Sequence, residues 1–239
     1  MARIKNKLEA KEENLDYKLI KEQIKRISIF GTFEEQDLGF AETYKKLGKK
    51  LVELGLTIVV GGDSGAIKDV SLGVVENKGK VIVVKSKIGK KAGYVTKNIP
   101  GHLRGVYCNG ELMGKNVILF NKSGAYFILP ESKNGLGTRS EMLLAIAKID
   151  SFDNYVGSLP KPVIFVGSFW KKMFNDGIKP RLNQKTLEHV YFIQNTDEIE
   201  PILLKYAKIK NGTLIYRKKE REYTFPINSK CQLSRVAFQ

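Results

Sequence analysis

The stretch AYFILPESKNGLGTRSEMLLAIA, residues 125–147, decides how the chain is read. Its first five residues, Ala125 to Leu129, are apolar without alternation, as in a strand covered on both faces. Its last six, Met142 to Ala147, suit a buried helix. Between them stand Pro130, Gly135, Gly137, Thr138 and Glu141, in a junction longer than a plain turn requires. Thr138 and Glu141 have the spacing of a capping box at the start of a helix over 138–149, which puts Glu141 in the first helical turn. The same residues suit a loop that holds an anion at a helix N-terminus beside a reactive carboxylate. On the residues alone the two readings stand about even.

The strand-turn-helix pattern recurs on both sides of this stretch. Ile27 to Phe30 reads as a strand ending at Gly31 and Thr32. Phe40, Tyr44, Leu47, Leu51 and Leu54 recur at helical spacing, and Gly55 stops that helix. Leu56 to Val60 is a strand ending at Gly61 and Gly62, followed by a helix over 65–78 and a strand over 81–84. The Gly- and Lys-rich segment 85–110 carries no clear pattern. A helix over 111–121, a strand over 162–167, a short strand over 191–194 and a helix over 197–208 complete the alternation. Apolar strands alternating with helices predict an α/β fold, a Rossmann-like doubly wound parallel sheet with helices on both faces. The expected organisation is a charged N-terminal helix within 1–26, a Rossmann-like domain over 27–208, and a basic C-terminal extension over 209–239, with 211–239 a hairpin or tail.

Composition narrows the function classes. The net charge is +16, of which the 26 N-terminal residues and residues 205–239 together carry +10. Such ends attract nucleic acid or simply solvate the chain. Solvation is favoured, because no basic motif interleaved with aromatics accompanies them. No run of about 18 apolar residues is present, so no membrane span is expected. Cys108 and Cys231 form neither a disulfide framework nor a metal cluster, and a cytoplasmic location is expected. His102 and His189 stand apart from any pattern, and Trp170 suits core or interface packing better than base stacking.

In an open α/β sheet ligands bind beyond the carboxyl ends of the strands. Three junctions place glycine there: Gly31 with Thr32; Gly61, Gly62 and Gly65 around Asp63 and Ser64; and Gly135 with Gly137 and Thr138. Tight packing at turns competes with ligand approach as their explanation, and three such junctions at one edge favour the ligand.

At this point the residues resemble a known family. Pro130 and Gly135 to Glu141 resemble the PGGxGTxxE signature of LONELY GUY-type, or lysine decarboxylase-like, proteins of the SLOG group of Rossmann-like folds. Val59 to Gly65 resembles the family's second glycine turn, YGGGxxGxM, and the resemblance spans roughly 27–204. It implies hydrolysis of the N-glycosidic bond of a nucleoside 5′-monophosphate, releasing base and ribose 5-phosphate. It implies no metal, no cofactor, and a homodimer or larger assembly. It gives Glu141 the role of stabilising the cationic sugar, and Gly31, Thr32, Gly61, Gly62, Gly65, Gly135, Gly137 and Thr138 that of holding the substrate and its phosphate. Two departures stand out. Four residues, Glu131 to Asn134, separate Pro130 from Gly135, and the arginine of the family's M-x-x-R-K stretch is replaced near Met113 by Lys115 or Asn116. Lys115 keeps the charge without the bidentate fork and is the candidate second catalytic residue; a solvated helix position is the alternative. Arg104, upstream, is a further stand-in for that arginine. A nucleotide sensor or carrier without hydrolase activity is the runner-up function. A pyridoxal-dependent decarboxylase is not expected, since nothing marks a Schiff-base lysine.

Overall fold

The computed structural model describes residues 15–32, 38–62, 65–86, 103–108, 112–130, 136–153 and 159–223. Seven strands form one sheet: β1 (Arg26–Phe30), β2 (Thr57–Val60), β3 (Lys80–Ser86), β4 (Leu103–Cys108), β5 (Ala125–Ile128), β6 (Val163–Val166) and β7 (Val190–Ile193). Every neighbouring pair is parallel. The order is β4-β3-β2-β1-β5-β6-β7. The chain therefore walks outward from β1 to β4, crosses back to lay β5 beside β1, and walks out the other way. The reversal creates a crevice between the carboxyl ends of β1 and β5, where doubly wound sheets bind ligands.

The longer α-helices are α1 (15–24), α2 (Leu38–Glu53), α3 (Gly65–Glu76), α4 (Leu112–Lys122), α5 (Leu136–Ala147) and α6 (Ile199–Tyr223). The strands divide their side chains between two cores, as the pleat requires. Ile27, Ile29 and Phe127 meet α1, α2, α3 and α6 through Ile20, Ile24, Leu47, Leu51, Val70 and Leu203. Phe30, Tyr126 and Ile128 meet α4 and α5 through Leu119, Phe120, Met142 and Ala145 on the opposite face. The expected doubly wound sheet with helices on both faces is what the chain forms, and Ile20 and Ile24 of α1 belong to its core.

Helix α4 carries the chain from β4 back to β5, so it starts at the carboxyl edge of the sheet and ends at the amino edge. Its second half is fixed by polar contacts. Ser28 on β1 donates to the Leu119 carbonyl at 2.8 Å and shares a hydrogen bond with Ser123 at 2.7 Å. The Phe120 carbonyl, one of the last in α4 and without a helical partner, accepts from the Tyr126 hydroxyl at 2.9 Å and from Lys161 Nζ at 3.0 Å. These anchors set where the first half of α4 lies over the crevice.

Three sequence expectations need correction. Segment 85–110 contains a strand, β4, paired in register with β3 from Val81 opposite Leu103 to Ser86 opposite Cys108. Its sequence, LRGVYC, mixes arginine and glycine into an edge position, so its pattern is weak and the β3 ladder defines it. Residues 211–223 form no hairpin. Helix α6 continues to Tyr223, because Gly212 is a single weak point in a run otherwise rich in helix-forming Lys, Arg and Glu. Helix α5 begins at Leu136, two residues before the expected start.

Candidate functional site

The early start of α5 changes the roles of its residues. Thr138 is the third helical residue rather than the cap, and no acid lies in the first turn, so Glu141 belongs to the second. The capping-box reading is thereby replaced. Thr138, Glu141, Met142 and Ala145 lie on the inner face, while Gly137, Arg139 and Ser140 are exposed.

Glu141 is met from across the crevice. Its Oε1 lies 3.5 Å from Nζ of Lys115 on α4, and the two side chains are only 12% and 6% exposed. Lys115 is therefore a buried partner and not a solvated helix residue. The ammonium also rests against Gly61 at the end of β2. A Cβ at position 61 would fall 2.8 Å from Lys115 Nζ and 3.0 Å from its Cε, so glycine is what leaves room for the lysine. Burial raises the Glu141 carboxyl above its ordinary value, and the Lys115 charge and hydrogen bond pull it down without cancelling that rise.

The remaining predicted residues frame this pair. Gly31 and Thr32 follow β1 directly; Thr32 is buried, and a Cβ at Gly31 would press on Leu129 at 3.1 Å. The glycine at 31 thus serves close packing between the ends of β1 and β5. Gly62 is buried, and Gly65 opens α3 at a φ of +56°, a left-handed conformation that glycine adopts without strain. Gly137 faces open space: a Cβ added there would meet nothing within 4 Å among the described residues. Thr138, 3% exposed, closes the inner side of the same helical turn. Gly135, Asp63, Ser64 and His102 lie outside the described residues. Arg104 is the second residue of the edge strand β4, far along the strand from its carboxyl end. His189 is buried beside Tyr206, on α6.

Two features were not anticipated. Asn116, next to Lys115 on the buried face of α4, has a side-chain carbonyl with no hydrogen-bond partner among the described residues. An open cavity of about 360 Å³ lies at the outer flank of α5, lined by Arg139, Phe169, Trp170, Lys172, Met173 and Asp176. Trp170 is core, as expected: it is fully buried and its Nε1 donates to the Leu129 carbonyl at 3.0 Å, tying the end of β5 to the segment after β6. Only the departure of Lys115 and Asn116 from the arginine pattern signalled anything at α4 in the sequence. Among the described residues no cluster of His, Cys, Asp or Glu could hold a metal ion, and no helix is long and apolar enough to cross a membrane.

No protein-family model matches the sequence, and no curated protein matches it. Solved structures do match in fold. The molybdenum cofactor carrier protein of Chlamydomonas reinhardtii superposes with a TM-score of 0.52 at 15% identity, over 78% of this chain and 98% of its own. The molybdenum cofactor binding protein of Rippkaea orientalis gives 0.52 at 19% identity, over 77% and 96%. The structural-genomics target TM1055 gives 0.57 at 18% identity, over 76% and 99%. At these identities the likeness is one of fold: a Rossmann-like parallel sheet with helices on both faces.

Proposed function

We propose that the crevice between β1 and β5 binds a nucleoside 5′-monophosphate and that the protein hydrolyses its N-glycosidic bond. The observation that carries this reading is the buried Lys115–Glu141 pair, at the carboxyl edge of the sheet and beside the open first turn of α5. The free N–H groups and positive dipole end of α5 suit the phosphate, with Gly137 allowing close approach and Thr138 beside it. The sugar then lies toward Glu141. As the bond from C1′ to the base nitrogen breaks, its electrons leave with the base and positive charge develops on the sugar. The Glu141 carboxylate stabilises that charge, and water adds at C1′ to give ribose 5-phosphate. The departing base nitrogen takes up a proton. Lys115 favours the ionised form of a carboxyl whose burial favours the neutral one.

The test is release of free base from a panel of nucleoside 5′-monophosphates by wild type, Glu141→Ala and Glu141→Gln. Release by the wild type that is lost in both folded variants supports the reading. A wild type that binds a nucleotide and releases no base from any refutes the hydrolase. A second reading, a carrier of a phosphorylated ligand without chemistry, rests on a specific observation: Glu141 is engaged by Lys115, and an asparagine and a lysine stand where an arginine would. The carriers of molybdenum cofactor that share the fold over nearly their whole length make it the natural competitor. Binding without turnover supports this second reading.

A further inference from the structure

Asn116 is 5% exposed, and its Oδ1 has no hydrogen-bond partner among the described residues. A buried carbonyl in this state lowers stability, and native proteins keep few of them without a use. Its position indicates the use. Phe120, one helical turn further along α4, packs its ring 5.1 Å from that of Phe30, the last residue of β1. Because α4 starts at the carboxyl edge, Asn116 stands about 6 Å nearer to that edge along the helix than Phe120. It therefore lies over the point where β1 gives way to Gly31 and Thr32, on the same buried face as Lys115. The orphan acceptor and the Lys115–Glu141 pair thus share the switch-point crevice.

An acceptor can be satisfied only by a donor. A phosphate dianion offers none, so this carbonyl is no phosphate contact. A guanidinium in its place could only donate, and would select an acceptor; a carbonyl selects a group bearing O–H or N–H. The part of a nucleotide that meets Glu141 in the reading above is the sugar, whose hydroxyls are such donors. We infer that Asn116 is a specificity-determining residue whose Oδ1 accepts a hydrogen bond from a ribose hydroxyl, making the site selective for ribonucleotides over their deoxy forms. This rests on the crevice being a nucleotide site.

The experiment compares the four common ribonucleoside 5′-monophosphates with their 2′-deoxy and 3′-deoxy counterparts. It uses the full chain as wild type, Asn116→Leu and Asn116→Asp, reading Kd for ligands that are only bound and kcat/KM for those that are cleaved. The wild type should favour the ribonucleotide over one of its deoxy forms by at least about tenfold. Asn116→Leu should reduce that preference to about twofold or less, while its ligand-free Tm equals or exceeds that of the wild type, since an unpaired polar group has been removed. Asn116→Asp keeps an acceptor beside Lys115 and should keep the preference. Equal affinity of the wild type for ribo- and deoxynucleotides overturns the inference and leaves the crevice reading intact. So does a preference that survives in Asn116→Leu, or an Asn116→Leu Tm well below wild type, which would mean the carbonyl is already satisfied within the fold. Absence of binding by every nucleotide overturns the crevice reading itself, and this inference with it.

Discussion

Replacing either member of the Lys115–Glu141 pair tests the site without any ligand. At 3.5 Å the Coulomb attraction is about 5 kcal/mol for an effective dielectric of about 20, and about 1 kcal/mol in bulk water. The low exposure of both side chains favours the larger figure, offset in part by the desolvation of two charges. Glu141→Gln strands an ammonium between Gly61 and α5 and should cost about 3–5 kcal/mol. For a chain of 239 residues that lowers Tm by about 6–20 °C. Lys115→Met should cost less, about 1–3 kcal/mol, because the Glu141 carboxyl is already raised by burial and can take up a proton. The double variant, with neither charge, should return to within about 1 kcal/mol of wild type or exceed it. Urea denaturation of the four proteins gives the coupling energy directly, and a value of about 2 kcal/mol or more is expected. Additivity of the two single effects within about 0.5 kcal/mol would show that the pair is solvent-screened and that the description of a buried ion pair is wrong.

The pH dependence of Lys115→Met carries a definite sign. With the lysine gone, burial alone sets the Glu141 pKa, above its value in the unfolded chain. Stability from such a group is full below the ordinary carboxyl pKa and is lost as pH rises through the folded pKa. The deficit of Lys115→Met relative to wild type should therefore widen as pH rises above the ordinary carboxyl range, as read by urea midpoints; a constant deficit refutes it. Gly61→Ala should push the flexible end of Lys115 away from Glu141, costing about 1–3 kcal/mol but removing nucleotide binding or turnover entirely; unchanged activity would show that the lysine position is immaterial. Gly73→Ala should be worse for the fold, about 3 kcal/mol or more by denaturation, because its Cβ would lie 2.1 Å from the Lys45 carbonyl in the rigid α2–α3 contact; a near-neutral effect would contradict that packing. Ser28→Ala should cost about 1–3 kcal/mol by the same measurement, since it leaves the Ser123 hydroxyl buried without its 2.7 Å partner.

Much of the fold was legible in the sequence because its signals are local. Ile27 to Phe30, Leu56 to Val60 and Ala125 to Leu129 are runs apolar but for Ser28 and Thr57 that suit a strand covered on both faces, and each leads to glycine or proline. Tyr44, Leu47, Leu51 and Leu54 mark one helical face regardless of what it packs against. Strand β4 was not legible, because LRGVYC becomes a strand through the β3 ladder and not through its own pattern. The course of α6 beyond Gly212 was not legible, because its helix-forming Lys, Arg and Glu carry only a weak apolar stripe to mark a helical face.

The site divides in the same way. The sequence by itself determined which residue types end the strands: Gly31, Gly61, Thr138 and Glu141 stand at carboxyl ends because the strand-turn-helix order puts them there. It left open whether Glu141 caps a helix and whether Lys115 is solvated. Both questions turn on where α4 lies when it crosses back from β4 to β5. That course is fixed by Ser28, Tyr126 and Lys161 gripping its second half: Tyr126 from the strand that follows, Ser28 and Lys161 across 91 and 41 residues of chain. Only the tertiary structure therefore decided that Lys115 meets Glu141 over Gly61, and that the Asn116 Oδ1 is buried without a hydrogen-bond partner among the described residues. Local periodicity encodes which face of a helix is buried; which charge that face meets depends on the crossing of the chain.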